Sequence, residues 1–262
     1  MQGLPRLTPG HALFLDFDGT LVDIAPQPDA VRVAHGLIGT LGLLQEMLHG
    51  ALAIVTGRRL ADIDHYLSPL RLIVASEHGA HCRMAGDPQP QAAAANALPD
   101  RLAQAARQLQ HALQPYPQLL LEPKTSGIAL HYRHAPELES LCSALMHQLL
   151  NELPGMELLR GKCVLELKPR NANKGFAIAQ LMQLPMFRGR VPIFVGDDVT
   201  DEQAFVAVQQ LGGTGVKVGV GESLAQSRCE TTEQVRMWLA QQAAAQSRET
   251  ANPQDTTREA MP

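Results

Sequence analysis

Leu13-Phe14-Leu15-Asp16-Phe17-Asp18-Gly19-Thr20-Leu21 decides the fold: an apolar run opening at Ala12 drives straight into two aspartates and a glycine. Taken as a strand over Ala12 to Phe17, it alternates faces, with Asp16 and Asp18 on one side and Phe17 on the other. Ligands of open α/β sheets bind beyond the carboxyl ends of the strands. Two carboxylates would then converge where a substrate sits. Each disfavours ionisation of the other, and a divalent cation would relieve that, with hard Mg²⁺ suited to such oxygen ligands. Alone, the pair also fits a plain acidic turn, as the weaker of the two readings.

Outward from this stretch, short apolar runs ending in polar clusters alternate with helix-like segments, the pattern of parallel strands and crossover helices. Strands are expected at about Ala12 to Phe17, Leu52 to Thr56, Leu72 to Ala75, Val191 to Val195 and Gly215 to Val220. Helices are expected at Ala34 to Leu48, Leu60 to Leu67, Lys174 to Gln183 and Asp201 to Gln210. The middle differs. Leu102, Ala105, Ala106, Leu109 and Leu113 have helical spacing, as do Leu138, Leu141, Leu145 and Leu149. Strand-like pieces at Leu119 to Glu122, Ile128 to Arg133, Met156 to Leu159 and Val164 to Leu167 accompany them. Helix, strand, strand, helix, strand, strand suits a small α+β layer. The expected organisation is a discontinuous α/β core over 1–83 and 169–240, an α+β domain inserted at 84–168 through a linker at Met84 to Asn96, and a flexible polar tail at 241–262.

Three more clusters fall at element ends. Ala51 to Val55 runs into Thr56-Gly57-Arg58, offering a hydroxyl and backbone N–H groups to a phosphate oxygen, although a turn with Arg58 in a surface ion pair explains it as well. Asn171-Ala172-Asn173-Lys174-Gly175 opens a helix, with asparagine available as cap and a lysine that calls for an anion beside the positive dipole end. After Val191 to Val195 comes Gly196-Asp197-Asp198-Val199-Thr200-Asp201-Glu202. Four acids within six residues at a strand end point to metal coordination, and Asp198 or Thr200 is also placed to cap the next helix.

Composition narrows the classes. The 262 residues, 45% hydrophobic, suffice for one or two well-buried domains, and a formal charge of −4 argues against nucleic acid or an anionic membrane as partner. Cys82, Cys142, Cys163 and Cys229 form no zinc or redox spacing and read as reduced thiols. No run approaches spanning length, and the apolar stretch Ala12 to Phe17 runs into Asp16 and Asp18 rather than a small-residue cleavage site, so a cytoplasmic enzyme is expected. Nothing in the sequence specifies an oligomeric state.

In order, Asp-x-Asp-Gly-Thr, Thr56, Lys174 and Gly-Asp-Asp-x-x-Asp resemble the haloacid dehalogenase superfamily of phosphatases over roughly residues 11 to 80 and 168 to 238. The resemblance implies a Rossmannoid parallel-sheet core and Mg²⁺ as cofactor. It implies Asp16 as nucleophile, Asp18 as general acid and base, and Thr56, Gly57 and Lys174 as phosphate holders. The metal ligands would be Asp16, Asp18 through its backbone carbonyl, and Asp197, with Asp198 and Asp201 auxiliary. The insertion sits where the sugar-phosphatase branch carries a cap. Within it, Glu122-Pro123-Lys124, Leu130-His131-Tyr132-Arg133, Gly161-Lys162-Cys163-Val164 and Glu166-Leu167-Lys168-Pro169 look like the trehalose-6-phosphate phosphatase family, as does Gln210-Leu211-Gly212-Gly213. That similarity implies trehalose 6-phosphate as substrate, with Glu122, Lys124 and Glu166 bonding sugar hydroxyls. Ser76-Glu77-His78-Gly79-Ala80 leaves Glu77 and His78 as candidates to reach it. The competing expectations are another phosphatase of this fold, for sucrose phosphate or a mannosyl ester, and a phospho-accepting binding module without turnover. Asp18 and the inserted domain weigh against the second.

Overall fold

The structure, a computed structural model, describes residues 4–87 and 99–251. The apolar runs become two sheets with separate hydrophobic cores. The first sheet takes β1 (His11–Leu15), β2 (Leu52–Val55), β3 (Ile73–Ser76) and β4 (His81–Arg83) from one side of the insertion. The second takes β5 (Leu120–Pro123), β6 (Ile128–His131), β7 (Met156–Gly161) and β8 (Val164–Pro169), all antiparallel in the order β5-β6-β8-β7. Beyond the insertion, β9 (Val191–Gly196), β10 (Thr214–Val218) and β11 (Ser227–Cys229) complete the first sheet in the order β11-β10-β9-β1-β2-β3-β4. All its pairings are parallel except β3 with β4.

The buried strands of this sheet read as unbroken apolar runs because both faces are covered. Helices α1 (Leu37–Met47) and α2 (Leu60–Leu67) join β1 to β2 and β2 to β3. In the insertion, α3 (Asp100–Ala112) and α4 (Glu139–Glu152) pack their apolar stripes on the second sheet. Helices α5 (Lys174–Leu181), α6 (Glu202–Gln210) and α7 (Thr232–Ala251) follow. The chain steps from β1 outward to β3 in one direction and from β9 outward to β11 in the other. Right-handed crossovers therefore send the connecting helices to opposite faces, and the strand order reverses between β1 and β9. A crevice opens at the carboxyl ends of those two strands.

Two expectations change, and two short strands join the sheet unannounced by the sequence. Strand β1 stops at Leu15 rather than Phe17, because the Phe17 carbonyl accepts the N–H groups of Thr20, Leu21 and Val22 and Gly19 takes a left-handed φ of 72°. The two aspartates thus sit on a tight turn, where the alternation of a strand no longer applies. The polar segment expected as a tail from 241 begins as helix: α7 crosses residue 240 and runs to Ala251, with Gln242 accepting the Leu7 N–H at 2.8 Å and Ala243 buried. Residues 252–262, and 88–98 within the expected linker, lie outside the described residues. Strands β4 and β11, three residues each, were too short for any periodicity to register. Among the described residues no helix is long and apolar enough to cross a membrane.

Beneath β1, Phe187 is fully buried and stacks on Phe14 with ring centroids 5.3 Å apart. Phe187→Ala should cost about 3–5 kcal/mol of stability, read as a fall in the urea midpoint at unchanged slope. A loss below about 1 kcal/mol would show that the cavity refills by collapse.

Candidate active site

Parallel register brings distant motifs to one edge. Leu15 lies level with Ile54 of β2 and Val195 of β9, so Asp16, Thr56 and Asp197 emerge side by side where those strands end. Helix α5 starts beside them, its first turn capped by Asn173, whose side-chain oxygen accepts the Phe176 N–H at 2.7 Å. That cap aims Lys174 into the crevice. Its ammonium donates to Asp16 Oδ1 and to Asp201 Oδ1, each at 2.7 Å, with all three side chains buried.

Oxygens of Asp16, Asp197 and Asp201 lie within 4.8 Å of one another. Burial pushes the Asp16 carboxyl well up, against Lys174, and Asp201 and Asp197 push it further. Burial also works against the Lys174 ammonium, but Asp16 and Asp201 outweigh it and hold its pKa above the ordinary lysine value. Asp197 is raised by burial too, although Lys162 reaches it from the β7–β8 turn at 3.0 Å. Asp201 Oδ2 accepts the N–H groups of Asp197 and Asp198, both at 2.9 Å, which folds the acidic loop onto the site.

Hard carboxylate oxygens in this number fit a divalent cation of the Mg²⁺ type. The backbone is shaped around them. A Cβ on Gly19 would meet the Asp197 carboxylate at 2.3 Å, so only glycine lets that carboxylate lie against the β1 turn. Asp18 lines the same cleft, where its carboxylate accepts both prongs of the Arg58 guanidinium, at 2.6 and 2.7 Å, and its backbone is what remains for the expected metal contact. Arg58 in turn lies over the rings of Phe17 and Tyr66 and donates to the Pro28 carbonyl at 2.8 Å. The reading of Arg58 as a surface ion pair is therefore overturned, since its side chain is only 11% exposed. Nothing in a Thr-Gly-Arg turn signals that partner, 40 residues upstream.

Strand alternation also builds the roof. Leu130, Leu165 and Leu167 point into the second core, while Glu122, Lys124, His131, Arg133, Lys162 and Glu166 line the cleft facing Asp16, Thr56 and Lys174. Lys124 donates to Glu166 Oε2 at 2.6 Å and to the Gly57 carbonyl at 2.8 Å. Burial disfavours the Glu166 carboxylate, yet Lys124 and His78 hold it far below the usual carboxylate range. Glu122 pairs with His131 at 2.7 Å, and the hydrogen bond from His131 with the charge of Lys124 keeps its pKa low despite burial.

Of the two residues left open after β3, only His78 lines the cleft. Its Nε2 lies 3.4 Å from Glu166 Oε2 without hydrogen-bonding geometry, so both ring nitrogens are buried with no hydrogen-bond partner. Burial lowers its pKa against the pull of Glu166, with Lys124 and Lys174 lowering it further. Gly57 makes room for the ring, since a Cβ there would meet it at 2.6 Å. The segment Ile24 to Pro28, which no motif marked, lines the same cleft.

A family model described as trehalose-phosphatase matches residues 14–236. The trehalose-6-phosphate phosphatase of Escherichia coli (strain K12) is 41% identical over 236 residues, covering 90% of this chain and 87% of that protein. Among solved structures, a trehalose-6-phosphate phosphatase related protein superposes with a TM-score of 0.72 at 28% identity, over 90% of this chain and 99% of its own. A haloacid dehalogenase-like hydrolase from B. subtilis shares the fold, with a TM-score of 0.58 at 16% identity, over 87% of this chain and 97% of its own. Carrying that family's match across both the crevice and its roof, the chain belongs to the trehalose-phosphatase family.

Proposed function

We propose that the chain hydrolyses trehalose 6-phosphate to trehalose and inorganic phosphate. The observation that carries this is one cleft with two chemistries. Its floor gathers Asp16, Thr56, Lys174 and Asp197 from four separate segments, and its roof presents Glu122, Lys124 and Glu166. The floor suits a phosphoryl group and the roof suits a polyhydroxylated leaving group, because hydrogen bonds to ions are the strong ones.

In this reading Asp16 attacks phosphorus in line, the bond from phosphorus to the sugar oxygen breaks, and Asp18 gives that oxygen its proton. Water then attacks the aspartyl-phosphate, yielding its proton to Asp18 and restoring the Asp16 carboxylate. Thr56, the Gly57 backbone and Lys174 hold the phosphate oxygens. Mg²⁺, held by Asp16, Asp197 and the Asp18 backbone carbonyl, would supply the positive charge that lets two anions meet. The orphaned ring of His78 would find its partner on the substrate. The four cysteines are all free thiols, in keeping with a reducing, cytoplasmic setting.

Phosphate release from a panel of sugar phosphates tests the reading. Trehalose 6-phosphate should be preferred over glucose 6-phosphate, and Asp16→Asn should abolish turnover while leaving the melting temperature within a few degrees. Sustained turnover by that variant would remove Asp16 from its role. Chelation by EDTA should silence the enzyme and Mg²⁺ restore it, whereas full activity in EDTA would exclude the metal. Glu166→Gln should raise KM for trehalose 6-phosphate roughly tenfold or more, because Lys124 loses its charge partner, with p-nitrophenyl phosphate affected far less.

A further inference from the structure

Beside the cleft, but not lining it, Glu77 is buried at 3% exposure at the carboxyl end of β3. Its backbone is left-handed, with φ at 49°, and so is that of His78, at 59°. Two consecutive side chains in a region that costs on the order of 1–3 kcal/mol each persist only where the surroundings demand it. The core holds the backbone, through the Glu77 N–H to the Arg58 carbonyl at 3.0 Å and the His78 N–H to the Thr56 carbonyl at 2.8 Å, and the inserted domain takes the Glu77 side chain. Glu77 Oε1 accepts the Thr125 N–H at 2.8 Å, while Oε2 accepts the Ser126 N–H at 2.7 Å and the Ser126 hydroxyl at 2.9 Å. His81 Nε2 lies 2.6 Å from the same hydroxyl. Thr125 and Ser126 form the tip of the β5–β6 hairpin, closed by the Lys124 N–H bonding the Gly127 carbonyl at 2.9 Å. Successive N–H groups at such a tip make a small anion-binding concavity, and a core carboxylate fills it.

Lys124 is the next residue along. Its ammonium spans from Glu166 in the roof to the Gly57 carbonyl in the floor. A lysine stem has four rotatable bonds, and where its head lands depends on where its backbone is held. We propose that Glu77 is a positioning residue for sugar recognition: it grips the hairpin tip and thereby sets Lys124, and through it Glu166, over the phosphate floor. This rests on the trehalose 6-phosphate reading. The Glu77 carboxylate touches neither the phosphoryl floor nor the residues that line the cleft, so it acts through the hairpin and Lys124, and its main influence falls on the sugar.

Glu77→Gln keeps the shape but turns an amide NH₂ toward a peptide N–H. Steady-state kinetics on the full chain should show kcat/KM for trehalose 6-phosphate falling roughly tenfold, mostly through KM, with p-nitrophenyl phosphate within about twofold of wild type. Hydrogen exchange at the Thr125 and Ser126 amides should accelerate roughly tenfold, while β1 and β9 amides keep their protection. Ser126→Ala deletes one of the three bonds from the opposite side and should shift both readouts the same way, by about fivefold. Equal losses on both esters, or unchanged exchange at the two hairpin amides in either variant, would overturn the proposal. A wild-type enzyme with no preference for trehalose 6-phosphate would instead sink the substrate reading, and the exchange measurement would still decide whether Glu77 holds the hairpin.

Discussion

One buried ammonium makes the rest of this site possible. Lys174 stands between Asp16 and Asp201 at 2.7 Å from each, with Asp197 close by, in a place that water scarcely reaches. Carboxylates confined together in a low dielectric repel one another and each favours its neutral form. In the proposed reaction the attacking Asp16 must remain a carboxylate. Lysine at the first turn of α5 supplies the needed charge, although the helix dipole disfavours a cation there. Buried ion pairs of this kind contribute little net stability compared with apolar packing. Their presence marks the crevice as a place where folding energy gives way to chemistry.

That constraint explains the architecture around it. The strand order reverses between β1 and β9, so the two acidic turns lie next to each other without crowding their backbones. Gly19 removes the one side chain that would separate the Asp197 carboxylate from the β1 turn. Asp201 spends one oxygen on Lys174 and the other on two N–H groups of its own loop, which fixes Asp197 as well. The same economy appears in the roof. Lys124 with Glu166 is buried as a pair and Glu122 with His131 is paired half-buried, so charged groups sit in the cleft without the penalty of isolation. In the proposed function a sugar hydroxyl would meet groups already oriented, with little side-chain entropy left to lose.

Local pattern was enough to mark out most elements. The alternating apolar runs placed β1, β2, β9 and β10 to within one or two residues at most ends, and α2 to the residue, because strand and helix periods are properties of neighbouring side chains. The Asn-Lys-Gly start of α5 was legible for the same reason, its cap being a contact three residues long. So was the helix-strand-strand-helix-strand-strand order of the insertion. Polar composition misled at the C-terminal end: α7 contains glutamine and serine, which say little about docking, and only the packing of Ala243 and the bond from Leu7 to Gln242 carries the helix past residue 240.

The amino-acid order alone therefore determined which residues carry acids, hydroxyls and ammonium groups to the ends of elements, and which faces of the inserted strands are apolar. Only the tertiary structure decided who meets whom. Asp18 turns to Arg58, Lys162 reaches Asp197, Glu77 takes the hairpin tip, and the His78 ring stands in the cleft with neither nitrogen hydrogen-bonded. The first three of these pairings join residues 35 to 49 positions apart. Periodicity reports on neighbours within a turn or a strand, whereas contacts across the crevice depend on sheet order, crossover handedness and the closing of one layer on another.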